Sequence, residues 1–417
     1  MKTLVFWINL DLFYCIIIKM LYCCVKAIQP YKAADMRIGY DAKRFFSNAT
    51  GLGNYSRTLI ETLAKYHSEN EYHLFAPKND ASERVNFIKQ YPSVLTHFPE
   101  GFYQKIHPLW RSYFIKNDLQ NAHIPLFHGL SGELPLSVPK GMKTVVTIHD
   151  LIHERYPQYY PFFDRKMYRW KFKSACERAD QIVAISEQTK RDIVDFYKIE
   201  ASKIKVIYQS CHPQFRAVNT SNLGADYFFQ KYKLPKNYLL YVGTINARKN
   251  LLGILKAFKT GELSRLINLV VVGQGGGRYF AEVASYIIDN KLKNRIVSIP
   301  NLDFEDFPHI YKNALALVYP SFSEGFGIPI IEALWSGCPV ITSAGGCFAE
   351  AGGLDTLYVN PHDPQDIATA ICNLSEDNAL RKRMILRGLE YVQKFEEQSI
   401  GNQWIALYES LYPSVGG

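Results

Sequence analysis

Residues 314–350 read ALALVYPSFSEGFGIPIIEALWSGCPVITSAGGCFAE. The run predicts a strand over 314–319, a loop over 320–328, a helix over 329–335 and a second strand over 339–342, which is a βαβ unit built around a turn. Pro329 suits a first helical position because its φ is fixed and it has no N–H to satisfy, and Gly337 and Pro339 supply the stop. Gly325 and Gly327 remove side chains just before the helix, so free amides at its N-terminus can approach an anion such as a phosphate. Glu324 in the loop and Glu332 one turn into the helix flank that site. Each carboxylate can accept the two hydrogen bonds that a vicinal diol of a ribose or hexose offers.

The string resembles the E-x7-E signature of retaining glycosyltransferases with the GT-B fold, in particular glycosyltransferase family 4. That resemblance implies an α/β protein of two Rossmann-like doubly wound domains facing a cleft. It also implies roles: Glu324 with the backbone of Gly325, Phe326 and Gly327 on the donor sugar, and Glu332 on the nucleotide ribose.

Working back toward the N-terminus, YLLYVGTINARKNLLGILKAF from Tyr238 predicts a strand, a glycine turn at Gly243 and Thr244, and a helix. Arg248 and Lys249 sit in that turn, where two cations at a strand's end can neutralise a leaving diphosphate. GTINARKN resembles the family's strand-end Arg/Lys motif in spacing and context, and both cations are expected to be solvent-accessible in an empty cleft. LINLVVVGQGGG offers glycines after a strand, but Gly273, Gly275, Gly276 and Gly277 lack the dinucleotide-binding spacing, and Asp289 is expected on a helix rather than at the end of the next strand.

The first half opens with a strand over 37–41, the loop NATGLGN and a helical pattern over 55–66. Gly51 and Gly53 bracket the turn, and the family places a similar glycine loop beside the donor diphosphate and the acceptor. Strands are expected over 72–76, 125–128 and 144–148, with an aromatic stretch between the first two that fits no element. The last ends in His149-Asp150. TIHD resembles the family's strand-end histidine that contacts the donor sugar, whereas His128 and His153 read as structural. Ser186 is expected to cap a helix. Polar, irregular sequence over 220–236 marks a boundary, giving domains over 36–220 and 235–394 and a terminal helix from 395 that in GT-B proteins crosses back onto the first domain.

Residues 1–35 are apolar and aromatic but broken by Asn9, Asp11 and Lys19. A spanning helix needs about 20 apolar residues, and a central Asp or Lys costs about 3 kcal/mol, while the run over 12–18 is short for a signal peptide. The stretch is expected to be an extension dispensable for catalysis, with peripheral inner-membrane contact as the alternative.

Across 417 residues, 48 Lys and Arg against 39 Asp and Glu give a formal charge of +9, which favours anionic ligands or an anionic membrane surface. The cations are scattered and no nucleic-acid module appears. Eight cysteines lack the paired spacing of a zinc site and read as reduced cytosolic thiols. No Asp-x-Asp metal motif and no protein nucleophile is evident. In the resembling family the departing diphosphate takes the acceptor's proton, so neither a metal nor a cofactor is expected. The reading is therefore a cytoplasmic hexosyltransferase that moves a sugar, mannose first, from a nucleotide sugar such as GDP-mannose to a glycan or lipid-linked acceptor in polysaccharide or lipopolysaccharide assembly. A hydrolysing sugar-nucleotide epimerase of the same fold and a non-catalytic sugar-nucleotide-binding protein are the alternatives.

Overall fold

The structure, a computed structural model, describes residues 36–79, 83–219, 224–260, 263 and 266–412. The extension over 1–35 and part of the boundary placed over 220–236 lie outside them.

Seven strands form the first sheet: β1 (Arg37–Asp41), β2 (Glu71–Phe75), β3 (Val94–His97), β4 (Leu126–Gly129), β5 (Lys143–Ile148), β6 (Gln181–Ala184) and β7 (Ile204–Val206), in spatial order 3-2-1-4-5-6-7. Six more form the second: β8 (Tyr238–Val242), β9 (Asn268–Val272), β10 (Ile296–Ile299), β11 (Ala316–Tyr319), β12 (Val340–Ser343) and β13 (Leu357–Val359), in order 10-9-8-11-12-13. Every pairing is parallel. Helices cover both faces of such sheets, which is why the central strands β8 and β11 are apolar and buried along their whole length.

The strand order reverses between β1 and β4 in one sheet and between β8 and β11 in the other. Crevices at the carboxyl ends of strands flanking such a switch point are where doubly wound folds bind ligands.

Six helices place the residues that matter here: α1 (Gly51–Tyr66), α2 (Phe162–Arg178), α3 (Glu187–Tyr197), α4 (Leu251–Ala257), α5 (Ile328–Trp335) and α6 (Glu397–Leu411). The helix expected over 55–66 starts four residues earlier, at Gly51, because the Asn48 side chain accepts hydrogen bonds from the amides of Thr50 and Gly53 and so organises the first turn. Strand β3 escaped the sequence reading. It is a four-residue edge strand, half-exposed, without the apolar run that marks the others. The aromatic stretch that fitted no element becomes short helical turns over 101–114 followed by a helix at Ile115–Asn121.

Helix α6 returns to the first sheet. Trp404 and Tyr408 are fully buried there among Tyr40, Tyr72 and Leu126, and burying each such side chain contributes about 2–3 kcal/mol. At the helix start, the Glu397 carboxylate accepts from Tyr66 OH at 2.5 Å and Lys65 Nζ at 2.9 Å, a position where the helix dipole also favours negative charge. Tyr408 OH lies 2.8 Å from His128 Nδ1, and His128 Nε2 lies 2.7 Å from Thr147 Oγ1. His128 is completely buried, and burial lowers its pKa to about 3, so it is a neutral strut in a polar network. His153, buried against Tyr197 OH at 3.2 Å, plays the same part.

Candidate active site

The carboxyl ends of β5, β6, β8 and β11 converge between the two sheets. After β8, Asn246 accepts a hydrogen bond from the Lys249 amide and closes a tight turn that presents Arg248 and Lys249. Asn250, in the left-handed region at φ 57°, accepts from the Gly253 amide through its side-chain oxygen. Its side-chain nitrogen donates to the carbonyls of Pro320 at 3.1 Å and Pro361 at 2.7 Å. This one asparagine starts α4 and fixes the loop after β11 beside it. The Phe322 amide donates to the Arg248 carbonyl at 2.8 Å, the Ser343 hydroxyl to the Ser321 carbonyl at 2.6 Å and the Cys347 thiol to the Glu324 carbonyl at 3.2 Å. These bonds tie the loop to β8's turn and to β12 from within the protein.

Glu324 stands at the centre. Its Oε2 lies 2.8 Å from Arg248 NH1, and its Oε1 accepts from Lys249 Nζ at 2.9 Å and Tyr319 OH at 2.8 Å. Burial opposes ionisation of this carboxyl, but Lys249 and Arg248 outweigh it and hold the pKa down at about 2. The two cations expected to be solvent-accessible are instead only 20% and 12% exposed, because Glu324 draws them inward. Arg248 and Lys249 face Glu324 beside the N-terminus of α5, with the Asp150 carboxyl also within electrostatic reach of Arg248. There the amides of Gly325, Phe326 and Gly327 donate to no protein acceptor among the described residues, and Gly327, at φ 107°, turns the chain into the helix. Cations and orphan amides together make an anion seat.

Glu332, on α5, lies apart from that cluster. Its Oε2 accepts from Tyr311 OH at 2.9 Å, while no donor reaches its Oε1 among the described residues. Burial raises its pKa to about 7. It lines a cavity of about 600 Å³ that spans the two domains and is shared with Gly51, Tyr55, Arg57, Gln209 and Ile328.

The remaining sequence-derived positions divide. Gly51 borders the cavity with open space where a Cβ would stand. Gly53 lies inside α1, where a Cβ would come within 1.9 Å of the Asn48 carbonyl oxygen, so packing alone requires a glycine. Phe326 turns its side chain into the core, stacked on Tyr208 and edge-on to Phe395, leaving its backbone to face the cleft. Gly243 follows β8 beside the Lys249 stem, and the carbonyl of Thr244 accepts from Tyr241 OH at 3.1 Å. His149 has both ring nitrogens engaged: Nε2 lies 2.8 Å from the Leu130 carbonyl and Nδ1 3.1 Å from the Gln209 side-chain amide. A carbonyl only accepts, so the proton sits on Nε2 and Gln209 donates to Nδ1. Burial lowers the His149 pKa to about 4 despite the Leu130 bond, so the ring is a neutral wall, edge-on to Tyr55 at 4.6 Å.

The two halves meet through backbone. A Cβ on Gly325 would lie 2.2 Å from the His149 carbonyl oxygen, and the Ser186 hydroxyl donates to the Gly325 carbonyl at 2.7 Å while also capping α3 through the Thr189 amide. Glu350, from the second domain, accepts from the α3 amides of Glu187 at 2.6 Å and Gln188 at 3.0 Å.

Sequence reading missed Gln209, Asn250, Tyr311, Tyr319 and Glu350. Tyr311 and Tyr319 are buried and meet their carboxylate partners Glu332 and Glu324 only in the fold, and Gln209 and Glu350 matter only through partners more than 50 positions away in the chain. Asn250 stood in the GTINARKN string with no local sign that it ties three loops together.

Two parallel doubly wound domains closing on a cationic, amide-lined cleft define a GT-B glycosyltransferase fold. Residues 49–214 match the model of Glycosyltransferase Family 4, and residues 226–390 that of Glycosyl transferases group 1. The chain is 33% identical over 276 residues to the O-antigen chain mannosyltransferase RfbU of Salmonella typhimurium, spanning 65% of this chain and 71% of that protein. It is 25% identical over 382 residues to the O-antigen chain mannosyltransferase B of Escherichia coli, spanning 87% and 96%. Among solved structures, Anabaena HepE in complex with UDP and glucose superposes with a TM-score of 0.71 at 17% identity, covering 90% of this chain and all of that one. WaaG, a glycosyltransferase involved in lipopolysaccharide biosynthesis, superposes with a TM-score of 0.65 at 16% identity, covering 89% and 99%. The chain belongs to the group 1 glycosyltransferases.

Proposed function

We propose that this glycosyltransferase moves a mannosyl group from a nucleotide sugar, GDP-mannose first, to a glycan or lipid-linked acceptor in cell-surface polysaccharide assembly, with retention of the donor's anomeric configuration. One observation carries the reading: Arg248 and Lys249, held 2.8 and 2.9 Å from Glu324, stand beside the unpaired amides of Gly325, Phe326 and Gly327 at the second sheet's switch point. A leaving nucleoside diphosphate needs preorganised positive charge at the bond that breaks, and these groups supply it from the protein itself, which supports transfer without a metal. Mannose is favoured by the names of the two O-antigen relatives.

In this reading Glu332 Oε1 accepts from the ribose diol. Gly51 and the cavity beside it receive the acceptor hydroxyl, whose proton passes to the departing diphosphate on the same face of the sugar. Glu324 acts by positioning the two cations, and His149 walls the sugar pocket. A cytoplasmic location is part of this reading, with contact at the inner membrane where the acceptor is lipid-linked.

Thermal stabilisation by a panel of nucleotide sugars identifies the donor, since a ligand at 100 times its Kd adds about 2.7 kcal/mol. NMR of the product then reads the anomeric configuration. Stabilisation by UDP-sugars alone overturns the donor assignment, inversion overturns the mechanism, and an epimer formed without acceptor marks an epimerase.

A further inference from the structure

The cavity of about 600 Å³ that Glu332 shares with Gly51 and Gln209 also reaches a turn after β10, where Asp303, Phe304 and Glu305 line it. That turn, over Phe304–Asp306, leads directly into a helix at Phe307–Lys312. The helix carries Tyr311, whose hydroxyl donates to Glu332 at 2.9 Å. Tyr311 follows Glu305 by six positions, roughly 9 Å along a helix. This is the reach of a nucleoside from its ribose hydroxyls to the far edge of its base.

Three acids stand in four residues here, Asp303, Glu305 and Asp306, and they are not equivalent. Lys231 Nζ lies 2.8 Å from Asp303 and 2.6 Å from Asp306, and Tyr232 OH donates to Asp306 at 2.6 Å. From the linker side, the Gln214 side-chain amide donates to the Phe304 carbonyl at 2.7 Å, and the His212 ring packs edge-to-face with Phe304 at 5.0 Å. The turn is thereby tied on both flanks. Glu305 takes no part in this: it is exposed, and among the described residues no donor reaches its carboxylate. The Phe304 ring, 45% exposed, lines the cavity beside it.

An uncommitted carboxylate next to an aromatic ring can read the edge of a base. Guanine presents two adjacent donors, N1–H and the N2 amino group, and the two oxygens of one carboxylate accept both. Uracil presents a single N–H between two carbonyls, so the same carboxylate gains one bond and faces two acceptors. Adenine sets its amino group beside an acceptor nitrogen. We infer that Glu305 selects guanine, accepting from N1–H and the N2 amino group while the base lies against Phe304. That role rests on the reading in which Glu332 holds the ribose, and it gives the preference for GDP a residue of its own.

Inosine diphosphate, IDP, is GDP without the N2 amino group and isolates the contact. Binding of GDP, IDP, UDP and ADP to the full chain is measured by calorimetry. Wild type is expected to bind GDP about tenfold more tightly than IDP and about thirtyfold more tightly than UDP or ADP, because a site built for a donor rejects a ligand that lacks it. Glu305→Ala should bind GDP and IDP equally and leave the affinity for UDP unchanged. The amide of Glu305→Gln matches the N3–H and O4 of uracil, so this variant should narrow the GDP-to-UDP ratio about tenfold. Neither variant should move the melting temperature of the free protein, since Glu305 makes no bond within the fold. Glu332→Gln should weaken GDP, IDP and UDP alike, so loss of the ribose contact is read apart from loss of the base contact. Equal binding of GDP and IDP by wild type, or a ratio that survives Glu305→Ala, overturns the role of Glu305 and leaves the GDP assignment standing. Tighter binding of UDP than of GDP by wild type overturns both.

Discussion

Lys249 Nζ lies 2.9 Å from Glu324 Oε1 while Arg248 reaches the other oxygen at 2.8 Å, so a single carboxylate sets the position of both cations that face the cleft. Glu324 is therefore an organiser of positive charge as much as a binding group, and it stays ionised well below neutral pH because its partners outweigh its burial.

Removing either cation should affect stability as well as catalysis. Lys249→Ala leaves a largely buried carboxylate with one charge partner fewer, which should cost about 3 kcal/mol and lower turnover by about two to three decades. The measurements are denaturant unfolding and single-turnover transfer. Lys249→Ala/Glu324→Gln should recover part of the stability but none of the turnover. A single mutant as stable as wild type would show that the pair is solvated rather than buried.

Glu332 and His149 separate in pH. The folded pKa of Glu332, about 7, lies above its ordinary value of 4.5. The folded chain therefore keeps this proton longer than the unfolded chain, and stability falls as pH rises from about 4.5 to about 7 and then levels. Donor binding runs the opposite way, because only the ionised carboxylate accepts both ribose hydrogen bonds. KM for donor should rise about tenfold per unit below pH 7, and Glu332→Gln should abolish that slope and weaken donor binding by about 1.5–3 kcal/mol. His149, with its pKa lowered to about 4, should contribute no inflection between pH 5 and 8. A slope that survives Glu332→Gln and disappears in His149→Gln would reverse the assignment.

Gly325 and Gly51 predict opposite results from the same change. Gly325→Ala places a methyl 2.2 Å from the His149 carbonyl oxygen, which neither backbone can avoid without parting the domains. Turnover should fall at least a hundredfold, with a larger radius of gyration by X-ray scattering and each domain still folded. Gly51→Ala meets open space at the start of α1 and should keep or raise stability by about 0.5–1 kcal/mol. Any rise in KM there reports a ligand close to that backbone.

Glu350→Gln tests the cross-domain carboxylate. It weakens two charge-assisted bonds to the α3 amides, worth about 1 kcal/mol as helix capping. KM for donor should rise several-fold with turnover at saturation nearly unchanged. If turnover fell and KM held, the contact would belong to the chemical step rather than to closure.

The sequence by itself determined the βαβ unit over 314–350, the switch from β-branched runs to helical periodicity, and the placing of Arg248, Lys249 and Glu324 in strand-end turns with Glu332 on the helix that follows. These rest on local chemistry: Pro329 and Gly337 bound α5, and glycines strip side chains from a strand-end turn. Only the tertiary structure decided how charge is shared. Charge partners divide Glu324 from Glu332, both buried and separated by seven residues in one motif, into an acid held at about 2 and one raised to about 7, because the first is paired directly with two cations and the second accepts from Tyr311 and feels Lys249 only at longer range. It alone drew Gln209 and Leu130 onto His149 and Glu350 onto α3. Hydrogen bonds between residues tens to hundreds of positions apart depend on how the sheets twist and meet, and no local pattern encodes that.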